Sequence, residues 1–239
     1  MNALPPPPPG LKATSGTAGF TLVELLVVIA LIAGLTAFLL GDLAATGKIP
    51  LLRSAQATVS GTLAVARMRA IATGRTSRLM LNIDAASLAT PPRFLRYLVL
   101  QTQTSSGWQT VTELYLPDGI YFVPGDFTSL PAGLFFDGPS VWVKSDGITA
   151  LRSTAFRSAQ IVTETIHSTV AEQWVSFSIS GVGTTGQAGD LVLALGRPRA
   201  PGSYAEGESP IELYHHDSVC GVTVSAYGLA VSIEDRSGF

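Results

Sequence analysis

Two kinds of hydrophobic pattern divide the chain at Gly74. Before it, apolar positions follow helical spacing; after it, they fall in short runs rich in aromatic and β-branched residues, separated by Gly, Pro and Asp. Residues 20–40, FTLVELLVVIALIAGLTAFLL, carry one charged side chain, Glu24. As a helix this segment spans about 31 Å, close to the ~30 Å hydrocarbon layer of a membrane. Gly41, Gly47 and Pro50 predict a break over 41–50. From Leu51 to about Gly74 the helical period returns. Leu52, Val59, Leu63, Ala66 and Ala70 share one face, with Arg53, Gln56, Ser60, Arg67 and Thr73 mostly elsewhere, which predicts an amphipathic helix docked on a sheet.

Beyond Gly74, strands are expected at 78–83, 94–101, 108–116, 119–123, 140–143, 173–180, 190–195, 210–215, 219–226 and 229–233, with Pro117-Asp118-Gly119 as a turn. Residues 153–172 fit either a strand and turn or a short helix. The predicted class is α+β: a long N-terminal helix, with an apolar and an amphipathic half, packed on a mostly antiparallel β-sheet domain. The expected organisation is a leader over 1–19, a transmembrane helix over 20–40, a break over 41–50, an amphipathic helix over 51–74 and a β domain over 75–239.

Composition narrows the function classes. The net charge is −2, without the basic stripe usual in nucleic-acid binders, so no nucleic-acid partner is expected. Cys220 is the one cysteine, so no internal disulfide forms, and its Val/Ser-rich setting reads as a small buried hydrophobe. The leader holds a Pro5–Pro9 run, which favours an extended conformation, and Lys12 as its only charge. Lys12 before the apolar segment and Asp42 after it favour an N-terminus on the cytoplasmic side. Glu24 is the informative position. A carboxylate inside a membrane helix costs on the order of 2.5–3.5 kcal/mol and usually has a functional partner. Residues 20–40 contain no Lys, Arg or His to supply one. Ala30, Ala33, Gly34 and Ala37 add small positions of the kind that let helices approach.

The stretch Gly19-Phe20-Thr21-Leu22-Val23-Glu24 resembles the processing signal of type IV pilins and type II secretion pseudopilins: a small residue before the cut, an aromatic after it, and an acid at the fifth mature position. The resemblance implies cleavage between Gly19 and Phe20 by a prepilin peptidase and N-methylation of Phe20. It implies that Glu24 pairs with the amine of a mature subunit during assembly, and that the partners are other pilin or pseudopilin subunits and inner-membrane lipid. The helix Leu63–Thr73, leading through Gly74 into a strand, is similar to H-type minor pseudopilins. These resemblances imply a non-enzymatic, single-pass protein of the bacterial inner membrane, with a periplasmic C-terminal domain, serving a type II secretion pseudopilus or a type IV pilus. The competing expectation is a membrane-anchored, β-rich periplasmic binding protein with no filament role.

Other motifs are weaker. Gly181–Gly186 matches G-x-G-x-x-G but leads into a strand rather than a helix, so it reads as a glycine-rich hairpin loop. His215 and His216 are adjacent, so on a strand their rings diverge, and no metal or other cofactor is expected. No paired carboxylates, nucleophile elbow or phosphate loop suggests catalysis.

Overall fold

The computed structural model describes residues 22–32, 48–85, 93–125 and 130–239. The chain forms two units, Met1–Ala45 and Thr46–Phe239. In the first, α1 covers residues 22–32. Its large apolar side chains run from 43% exposed at Val28 to 79% at Leu22. A helix that is apolar all round calls for cover on every side.

The second unit opens with α2, Lys48–Thr73. Pro50 sits in its first turn, where a missing N–H costs nothing because that group has no intrahelical acceptor. Pro50 therefore lies inside the helix start, and the remainder of the expected break, 41–47, lies outside the described residues. The helix stops in a Schellman turn. Gly74 takes φ +64, its N–H donates to Ile71 O, and the Arg75 N–H reaches back to Ala70 O.

Among the described residues ten strands follow: β1 (Ser77–Asn82), β2 (Tyr97–Thr104), β3 (Gly107–Tyr115), β4 (Ile120–Phe122), β5 (Ile161–Glu164), β6 (Glu172–Ile179), β7 (Gly189–Pro198), β8 (Ile211–Leu213), β9 (Val219–Val224) and β10 (Ala230–Ile233). They form two antiparallel sheets, ordered β3-β2-β1-β6-β5 and β10-β9-β7-β4, with β8 added on β7. The first sheet is buried on both faces around β1. Leu79 and Leu81 join the main core with Leu98, Leu100, Val175 and Phe177, while Met80 points the other way into a smaller core with Tyr97, Val99, Ile166 and Trp174. α2 packs against strands of both sheets.

This architecture corrects the expected class. The described residues are mostly sheet, in two antiparallel sheets, with helix over 22–32 and 48–73 and no long apolar helix among them. The expected membrane placement is corrected too. Among the described residues no helix is long and apolar enough to cross a membrane. The described residues of α1 span about 16 Å, and α2 carries Lys48, Arg53, Arg67 and Arg69. The inner-membrane, single-pass localisation drawn from residues 20–40 therefore does not stand. Locally, 140–143 is not a strand: Pro139 opens a 3-10 turn, Pro139–Val141, because proline fixes φ and brings no N–H to a ladder. Within 153–172, a 3-10 turn at Ser158–Gln160 leads into β5.

Candidate functional site

The processing residues Gly19 and Phe20 lie outside the described residues. Glu24 stands on α1 with its side chain exposed, between the exposed Val23 and Leu25. It is the only ionisable group of the 22–32 segment.

The docking residues are all on one buried stripe of α2. Leu52, Val59, Leu63, Ala66 and Ala70 are at most 5% exposed and belong to the main core. Sequence reasoning missed three members of this stripe, Ala55, Gln56 and Thr62, all buried. Gln56 had a readable signal: it is four residues after Leu52 and three before Val59, so it shares their face. Its Nε2 donates to Gly221 O and Ile233 O, both at 2.6 Å, tying α2 to β9 and β10. Thr62 instead donates to Thr58 O one turn back. Replacing Gln56 with Leu strands two carbonyls, one of them well buried, and is expected to cost about 1–3 kcal/mol in urea unfolding. The exposed Arg53–Glu234 pair at 3.3 Å is worth little by comparison.

Cys220 faces α2 from β9, its Sγ 3.5 Å from Leu52 O. Burial pushes the thiol up to about 12, partly offset by Arg53. The thiolate is the reactive form, so alkylation of Cys220 in the native protein is expected to run ~10³-fold slower than in urea. The sign for stability follows. Between the ordinary cysteine range and about 12 the unfolded chain releases a proton that the folded one keeps, so this group lowers stability as pH rises there.

Among the charged side chains that pair elsewhere in the described residues, three bundles lie near tyrosine or histidine. On the outer face of the first sheet, Arg93 Nη1 lies 3.0 Å from Glu172 Oε2, to which Asn82 also donates. Beside it the Tyr97 hydroxyl donates to Glu113 Oε2 at 2.5 Å, and His167 Nε2 is 2.6 Å from Glu113 Oε1. Burial, then Glu113, raise the Tyr97 phenol well above its ordinary value. These contacts strap residues 165–171 over the smaller core, because Arg93 also donates to Ile166 O and His167 O. The third bundle joins His216 to Asp137 at 3.1 Å and Asp217 to Arg236 at 2.7 Å. His215 and His216 follow β8 in a turn, with His215 at φ +56. Each carboxylate in these bundles is engaged with a cation, an amide or a phenol, which suits structural tethering. Among the described residues no group of three or more His, Cys, Asp or Glu side chains is placed to hold a metal ion. The glycine-rich segment 181–186 forms the turn between β6 and β7, with Gly183 at φ +83 and its N–H donating to Ser180 O.

Comparison of the chain with family models, with curated proteins and with solved structures finds no match. The assignments to type II secretion and to a membrane-embedded pseudopilin are accordingly corrected: no family match supports the first, and no membrane-length helix among the described residues supports the second.

Proposed function

We propose that this chain is a pilin-like assembly subunit, cut between Gly19 and Phe20 by a prepilin-type peptidase and joined to neighbouring subunits through its apolar N-terminal segment. The observation that carries the reading is the register of Gly19, Phe20 and Glu24: small residue, aromatic, then an acid at the fifth position of the mature chain. α1 supports it. Its apolar side chains are exposed on every face, and helices of neighbouring subunits would supply the missing cover. Glu24 is the single charge in that surface, so it sets the register in which helices meet by pairing with the amine of Phe20 on a mature subunit. Its cost in an apolar interface is recovered only when it is paired.

The test is Glu24→Ala in a host that carries the peptidase and the remaining subunits. The variant is expected to be cut normally and to be incorporated into filaments at a small fraction of the wild-type level. Normal incorporation contradicts the role given to Glu24. A binding protein with no filament role would show neither peptidase-dependent cutting nor incorporation.

A further inference from the structure

The C-terminal end of α2 and the β9–β10 turn form a surface that is basic, apolar and without acid. Residues 60–75, 180–189 and 224–231 contain Arg67, Arg69 and Arg75 and no Asp or Glu. Met68, Ile71, Val182, Tyr227 and Leu229 are between 46% and 78% exposed there. The last turn of α2 holds no basic residue, so the helix dipole does not account for these guanidinium groups.

At the centre is a groove of about 200 Å³ between α2 and the turn, lined by Ser60, Ala64, Arg67, Met68, Gly228 and Leu229. Arg67 is half-buried and fixed: its Nε donates to Tyr227 O at 3.0 Å and to Gly183 O at 3.3 Å. Glycine makes this approach possible. A Cβ on Gly228 would meet Gly183 O at 2.6 Å, and both glycines take positive φ. With Nε occupied by carbonyls, the two Nη nitrogens of Arg67 have no acceptor among the described residues. An arginine oriented in this way presents a fork that matches a carboxylate, and no carboxylate of its own surroundings competes.

We propose that this groove binds a glutamate or aspartate side chain carried on an apolar segment of a partner protein. Arg67 grips the carboxylate through its Nη fork, Arg69 and Arg75 attract it, and Met68 and Leu229 cover the apolar side chains beside it. Charge complementarity selects an acidic partner over a basic one. The inference goes beyond the assembly reading and stands whether or not the chain is cut at Gly19.

The test is fluorescence anisotropy with the full chain and three labelled probes. One is an end-blocked peptide with a single Glu among Leu residues, the second its Gln analogue, and the third a Leu peptide whose only carboxylate is its C-terminus. The Glu peptide is expected to bind ~10-fold or more tighter than the Gln analogue, and to weaken as salt rises. Met68→Glu, at an exposed position that holds no other group, is expected to weaken it about 10-fold with an unchanged Tm. Arg67→Lys, which keeps the charge and loses the fork, should do the same. Equal binding of the Glu and Gln peptides overturns the proposal, as does undiminished binding by Met68→Glu. Tighter binding of the C-terminal carboxylate overturns the side-chain assignment.

Discussion

Leu63→Ala is expected to cost about 3–4 kcal/mol of unfolding free energy, the largest effect of any single truncation on α2. Leu63 is fully buried midway along the docking stripe, with Val59 and Ala66 a turn away on either side. Removing its branched end leaves a cavity in a core shared by the helix and both sheets. The helix backbone cannot collapse into that cavity without breaking the Gln56 bonds to Gly221 O and Ile233 O. Denaturant unfolding should show a lower midpoint at an unchanged slope. The contrast is Met68→Ala on the opposite face, where 62% exposure predicts a change within about 0.5 kcal/mol. A Leu63→Ala loss as small as that of Met68→Ala would mean that α2 is not docked as described.

Arg93→Ala is expected to cost a similar amount, about 3–4 kcal/mol, through a different mechanism. The side chains of Arg93 and Glu172 are 12% and 8% exposed, so removing Arg93 takes the counter-charge from a carboxylate largely shielded from water. Arg93 also donates to Ile166 O and His167 O and lies over the Tyr97 ring at 5.0 Å, so the strap over the smaller core loosens with it. Two measurements separate these contributions. The double variant Arg93→Ala/Glu172→Gln should be less destabilised than the sum of the two single variants, because the ion pair is lost only once. Tryptophan fluorescence should shift as Trp174 of the smaller core gains water.

The parts legible in the sequence were those set by local periodicity. The spacing from Leu52 to Ala70 marks the buried stripe of α2, and Gly74 marks its end. The apolar runs around 79–81 and 191–195 lie in strands β1 and β7. What stayed hidden depends on contacts between distant segments. Arg93 and Glu172 are 79 residues apart and carry no local signature of their pairing. The spacing of Gln56 places it on the buried face, but its acceptors, Gly221 and Ile233, are supplied by a distant hairpin and leave no local signal. The division into two sheets was invisible because period 2 reports that a strand has two faces, not which neighbour it takes. The apolar run over 20–40 invites a membrane-length helix, since hydropathy measures composition over a window; among the described residues the helix covers 22–32. The Arg67 groove escaped notice because its fork is shaped by two glycines more than 100 residues away in sequence.

The most direct test of the central claim is the N-terminus of the mature protein, read by Edman sequencing and intact mass from a host that has a prepilin-type peptidase. The account predicts a chain beginning at N-methylated Phe20, and the full-length form in a host lacking the peptidase. A retained Met1, or a cut elsewhere such as near Ala45, would contradict it.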